Sequence, residues 1–169
     1  MDIDVDAVNL GMLVLRVIGG LTLAAHGLNK FRSGLGGLAG WFDSLGMRPG
    51  PVHAKMAATT ESGAGILLAL GLATPLAALA IVGTMAVAGY VAHRKAFFVL
   101  DDGFEFTMII ATIAVAVATV GPGQWSLDNA IGLDLDGWVG LAISAGGGIL
   151  AAVLHLAAFF RPPAAGAAS

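Results

Sequence analysis

The sequence predicts an all-α fold, a polytopic membrane helical bundle of four or five transmembrane helices. Composition, segmentation and charge placement each point there. Of 169 residues, 57% are hydrophobic and only 11% are charged, and the mean hydropathy is +0.88. An ordinary soluble domain has about a quarter of its residues charged. Eleven acids and eight bases cannot wet the surface of so short a chain; lipid can be the solvent instead.

A bilayer core takes about 20 apolar residues in helix, with a range of roughly 17–25. Five segments meet or approach that length: 10–28, 54–72, 76–92, 104–120 and 138–160. The first follows the acidic start Met1-Asp2-Ile3-Asp4-Val5-Asp6, where a signal peptide would be basic, so this helix is expected to be retained. Between the first and second, Leu38, Trp41, Phe42 and Leu45 recur at helical spacing before Gly46 and Pro49. That pattern suits a short amphipathic helix lying in the interface or an apolar loop packed on the bundle. The second and third segments meet at Ala73-Thr74-Pro75, and a proline in the first turn of a new helix makes a tight hairpin. Gly121-Pro122-Gly123 stops the fourth, and Pro162-Pro163 follows the fifth.

Charge placement orients these spans. Lys30, Arg32, Arg48, Lys55, Arg94, Lys95 and Arg161, all the bases except Arg16, fall on one side if there are five spans. The positive-inside rule makes that side cytoplasmic, in a bacterial inner membrane, with the N-terminus out and the C-terminus in. The expected organisation is an acidic extracytoplasmic N-terminus (1–9), a four-helix membrane core (10–128) with the amphipathic stretch at 31–50, an outer loop with the fifth transmembrane helix (129–161), and a cytoplasmic tail (162–169).

Composition also excludes function classes. No basic cluster suits a nucleic acid. Without cysteine there is no disulfide, iron–sulfur cluster, thiolate-bound metal or dithiol centre, and no metal site is expected. Any electron chemistry needs a bound cofactor or a partner.

Ionisable groups inside spans are costly, and each is a candidate for function. Glu61 sits roughly 10 Å into the second helix at 1.5 Å per residue, on a face shared with Ala57 and Gly65. It reads as a proton-exchanging acid beside a ligand, or as half of a structural ion pair. His26 and Lys30 are one turn apart at the cytoplasmic end of the first helix; His26 is expected to reach Glu61, and Lys30 can snorkel to the interface. His93 closes the third helix and Glu105 opens the fourth at the same depth. His26, Glu61, His93 and Glu105 are therefore expected to converge on one polar site. Arg16, rotated about 40° from Lys30 and about 80° from His26, should face the bundle and meet a carboxylate, Asp128 or Glu61, or several carbonyls. His155 accompanies a small-residue seam of Gly140, Ser144, Gly148 and Ala152, and a hydrogen bond across that seam is preferred to a ligand role.

At these residues the chain resembles the DoxX family of small bacterial membrane proteins, related to the DoxD-type subunit of thiosulfate:quinone oxidoreductases. The matching pieces are Arg16 with Gly19-Gly20, His26-Gly27-Leu28-Asn29-Lys30, Glu61-Ser62-Gly63-Ala64-Gly65 and Leu70-Gly71-Leu72-Ala73-Thr74-Pro75. His93, Gly103-Phe104-Glu105, Gly121-Pro122-Gly123 and Ser126-Leu127-Asp128 complete the order. The resemblance implies a four-helix core and leaves helix five as an extension. It also implies links to quinone-reducing sulfur oxidation, or to an oxidative-stress complex with a sulfurtransferase and a superoxide dismutase.

The leading expectation is thus a membrane subunit of a quinone-linked redox system. Menaquinone or ubiquinone would be held by His26, Lys30, Glu61, His93 and Glu105, with Glu61 and His26 supplying protons. Arg16, Ser126, Asp128 and His155 are expected to be structural polar groups. A non-enzymatic scaffold recruiting soluble redox enzymes is one alternative. A haem-b protein using two of His26, His93 and His155 is another, and a transporter is a third.

Overall fold

The computed structural model describes residues 4–162; the N-terminal residues 1–3 and the tail at 163–169 lie outside them. Asp4 opens α1 (Val5–Arg32). Its Oδ1 accepts from the N–H groups of Asp6 at 3.1 Å and Ala7 at 3.2 Å, satisfying donors that a helix start leaves free. With Lys30 and Arg32 complementing the last turn, α1 runs past both ends of the expected 10–28. The amphipathic stretch forms α2 (Leu35–Ser44). Asp43 in its last turn accepts from Gly50 N at 2.8 Å, so α3 (Gly50–Leu70) begins ahead of residue 54.

Gly71, at φ 63°, ends α3, and α4 (Thr74–Ala88) follows with Pro75 in its first turn. A π-helical turn, Gly89–His93, continues α4. After a 3₁₀ turn at Val99–Asp101 comes α5 (Glu105–Val120). The loop expected at 121–137 contains a short helix, α6 (Leu127–Ile131). The last rod is α7 (Gly137–Leu141), a π-helical turn (Ala142–Gly147) and α8 (Gly148–Phe159).

The rods Val5–Arg32, Thr74–His93 and Gly137–Phe159 are long and apolar enough to cross a bilayer. The apolar α5 is shorter, at 16 residues, and α3 has the length but is diluted by His53, Lys55 and Glu61. The protein is a multi-pass membrane helical bundle.

Small residues set the packing. A methyl group on Gly20 would stand 2.5 Å from Gly65 O, one on Gly65 2.6 Å from Ala24 N, and one on Gly27 2.5 Å from Ser62 N. The α1 and α3 backbones therefore touch, as small-residue membrane interfaces allow. Gly140, Ser144, Gly148 and Ala152 are the buried residues of the last rod, so the expected seam is the one used. Leu23, Leu68, Ala78, Ile81, Ala114 and Val117 belong to the core, which fills the bundle from the turn between α3 and α4 as far as Met85 and Ile110.

The end where α3 turns into α4 is also clamped by polar groups. Arg16, 3% exposed, donates through Nη1 to Ala69 O at 2.5 Å and through Nη2 to Trp125 O. Of the partners expected for it, a carboxylate or several carbonyls, it uses carbonyls, and neither Asp128 nor Glu61 is bonded to it. The Asp128 carboxylate instead accepts from Ala73 N at 2.6 Å and Thr74 N at 2.9 Å. Asp128 thereby caps the first turn of α4, where the N–H groups have no helical partner. Ser126 Oγ donates to Gly123 O at 2.6 Å, and Asn9 Oδ1 accepts from Gln124 N at 2.9 Å.

Gly65→Ala should destabilise the protein by about 1–3 kcal/mol through overpacking. A methyl group on Gly63 of the same helix would meet nothing within 4 Å, so Gly63→Ala should hold or raise the Tm. Thermal melting of both variants in detergent checks the contrast; equal behaviour would contradict the α1–α3 contact.

Candidate functional site

The opposite end of the bundle is hollow. A cavity of about 570 Å³ lies under α2, between α3, α4 with its π-helical turn, and α8, with α1 and the start of α5 completing its lining. Ligand pockets run from about 300 to 1,000 Å³ and are mostly apolar with a few placed polar groups. Leu38, Trp41, Phe42 and Leu45 of α2 form one apolar wall. The helix predicted to lie in the interface thus turns its apolar side to the cavity. Arg32, Arg48, Lys55, Arg94, Lys95 and Arg161 are exposed around this end.

On α3, His53, Met56, Ala57, Thr60 and Glu61 line the cavity, at the spacing of one helical face. Glu61 is 3% exposed and is paired with Lys30 through Oε1, the one ion pair among the described residues. Its Oε2 has no partner. His26 was expected to reach Glu61, and the structure gives that position to Lys30. The crossing at Gly27 and Ser62 sets Glu61 beside the Lys30 turn, and side chains on a helix lean toward its N-terminus, which carries Nζ back to the carboxylate. The His26 ring stacks on Phe106 instead, with centroids 5.2 Å apart, and still lines the cavity.

His93 lines the cavity from the π-helical turn, a departure from α-geometry that often marks functional positions. Its Nδ1 donates to Asp102 O at 2.8 Å, which leaves Nε2 as the acceptor nitrogen. Glu105 is not brought to the cavity. It accepts from Val99 N at 3.0 Å, and its neighbours Phe106 and Thr107 present the α5 face that lines the site.

His155, expected to bond across the helix-five seam, also faces the cavity, and its Nε2 lies 3.2 Å from His53 Nδ1. His53 is the site residue that sequence reasoning passed over, since it precedes the span predicted from residue 54. Its signal was the spacing of eight residues to Glu61, two turns along one face. The tether that brings His155 there is local: Met47 and Phe160 form an isolated β-bridge, and Arg161 N donates to Gly46 O at 2.8 Å.

Residues 11–94 match the family model DoxX. A protein of Bacillus subtilis (strain 168), named "Putative oxidoreductase CatD", is 32% identical over 108 residues, which cover 64% of this chain and 78% of that protein. The chain belongs to the DoxX family. No solved structure matches it. The DoxX match runs from α1 through the π-helical turn and so includes Arg16, His26, Lys30, His53, Glu61 and His93. The last rod, which supplies His155, lies outside it.

The Lys30–Glu61 pair should respond asymmetrically to mutation. Lys30→Met strands a buried carboxylate and should cost about 3–5 kcal/mol. Glu61→Gln should cost less, because Lys30 is 21% exposed and can extend to water. The double variant Lys30→Met/Glu61→Gln, which leaves no buried charge unpaired, should recover most of the loss. A double-mutant cycle on the Tm in detergent measures this, and additive losses would contradict a direct pair.

Proposed function

We propose that this DoxX protein is the membrane subunit of a quinone-linked redox system, with the quinone bound in the cavity beneath α2. The observation that carries the reading is Glu61, a buried carboxylate with one oxygen on Lys30 and the other unpartnered, lining a mostly apolar cavity. Burying such a group without satisfying it is unfavourable, and a ligand that hydrogen-bonds there relieves the cost. Menaquinone and ubiquinone suit the walls: a flat ring with oxygen acceptors, and an apolar tail at home among lipid-facing helices. The relative named as an oxidoreductase supports the same class.

A bound quinone supplies two-electron chemistry coupled to the uptake of two protons. The chain's part is to bind and to handle protons. Lys30 Nζ donates to an oxygen beside Glu61, Glu61 Oε2 holds or releases a proton there, and His26 stands one turn away on α1. His93, with Nε2 as acceptor, is the further base of the site. Electrons come from outside the chain, which has no cysteine. Soluble enzymes of the sulfurtransferase or superoxide dismutase type, in a sulfur-oxidation or oxidative-stress system, are the partners this reading favours. Haem b suits the site less, because His155 Nε2 is committed to His53 and the His26 ring is stacked on Phe106.

The exposed bases around the cavity end support a reading in which it faces the cytoplasm from a bacterial inner membrane, with the N-terminus out. A reporter fused after Ser169 that works only in the cytoplasm should be active; activity of a periplasmic reporter there would contradict the orientation.

Lipid extraction of the gently purified protein should yield a co-purified quinone. Glu61→Gln should still insert and fold, while quinone-linked activity of membranes carrying it falls about tenfold or more. Full activity together with no co-purified quinone would favour a scaffold that recruits soluble redox enzymes.

A further inference from the structure

The cavity has a second polar pole that none of the roles above uses. His53 is 2% exposed, and its ring meets that of His155 edge-on, with centroids 5.0 Å apart and planes at 80°. Phe159 packs on both rings at 5.2 and 5.1 Å, and Phe42 closes on His53 at 6.0 Å. His53 Nδ1 is engaged with His155 Nε2, whereas His53 Nε2 is buried without a partner. Both rings line the cavity. Eight residues separate His53 from Glu61, about 12 Å along α3 at 1.5 Å per residue, with Met56, Ala57 and Thr60 of the same wall between them.

We propose that His53 and His155 form a second ligand-binding pole, in which His53 Nε2 hydrogen-bonds an oxygen of the cavity's ligand and His155 sets the tautomer of His53. This rests on the quinone reading and gives that ligand its second polar contact.

The chemistry follows from the imidazole inventory. A neutral ring has one donor and one acceptor nitrogen. When His155 Nε2–H donates to His53 Nδ1, the His53 proton must sit on Nε2, ready for a carbonyl oxygen. When His53 Nδ1–H donates to His155 Nε2, His53 Nε2 becomes an acceptor, ready for a hydroxyl. The pair therefore matches a ligand whose oxygen is a carbonyl in one state and a hydroxyl in the other, without any side chain leaving its place. Lys30, with donors only, prefers the carbonyl. The ligand class is a lipophilic ring with oxygens at separated positions. His53 lies within the residues that match DoxX, whereas His155, from the last rod, lies beyond them.

The test uses the full-length protein in detergent with decylubiquinone as the probe. Trp41 lines the cavity, so its quenching reports binding in a Trp125→Phe/Trp138→Phe background. That background should bind the probe, and His53→Phe should weaken binding about tenfold, as expected for a lost buried hydrogen bond. His155→Phe, at a half-buried position that tolerates change better, should weaken it about threefold. His155→Gln, whose amide can pair with His53 Nδ1 as donor or acceptor, should restore most of the loss. Unchanged binding in His53→Phe, or equal losses in His155→Phe and His155→Gln, would overturn the second pole and leave the quinone reading intact. No quenching in the parent background would overturn both.

Discussion

The backbones of α1 and α3 can touch only because Gly20, Gly27 and Gly65 carry no side chain at the crossing, and the site follows from that contact. Two helices with ordinary side chains at the interface stand about 8–10 Å apart. Closer approach brings the Lys30 turn within reach of Glu61, which lies beside Ser62 on the facing helix. The ion pair is thus a consequence of packing between small residues. It tolerates its buried carboxylate because a cation from the neighbouring helix is held there, and loss of the crossing would leave Glu61 uncompensated.

The two ends of the bundle divide the labour. At one, Arg16, Asp128, Asn9 and Ser126 satisfy carbonyls and N–H groups of the turns at 69–74 and 121–129, and the apolar core is closed. Irregular backbone at that level needs such partners, since lipid offers none. At the other end the helices part around the cavity, roofed by α2; Glu61 Oε2 and His53 Nε2 are the unpartnered buried polar atoms of the residues that line it, while Asn9 Nδ2, Arg16 Nε and Thr74 Oγ1 are those of the clamped end.

Much of this was legible in the sequence. The apolar runs and the one-sided bases give the rods and their order, and the small residues at 140, 144, 148 and 152 mark the buried side of the last rod. His26, Lys30, Glu61 and His93 were recognisable because ionisable residues in a membrane span are costly, and the structure brings all four to one cavity. What a helical wheel does not carry is the register between helices. For that reason Lys30, and not His26, meets Glu61, and Arg16 meets carbonyls and not the carboxylate of Asp128 or Glu61. Glu105 was misplaced because the 3₁₀ turn ahead of α5 claims its carboxylate through Val99 N. His53 was missed because Asp43, at the end of α2, starts α3 earlier than hydropathy suggests.

The central claim is that α1–α3 packing creates a cavity whose unsatisfied groups, Glu61 and His53, receive one lipophilic ligand. A crystal structure of the full chain grown from a lipidic phase with decylubiquinone tests it most directly. The account predicts ligand density beneath α2, with polar atoms of the ligand within hydrogen-bonding distance of the Lys30–Glu61 pair and of His53 Nε2. A collapsed cavity, or a ligand bound on the lipid-facing surface with Glu61 and His53 untouched, would contradict it.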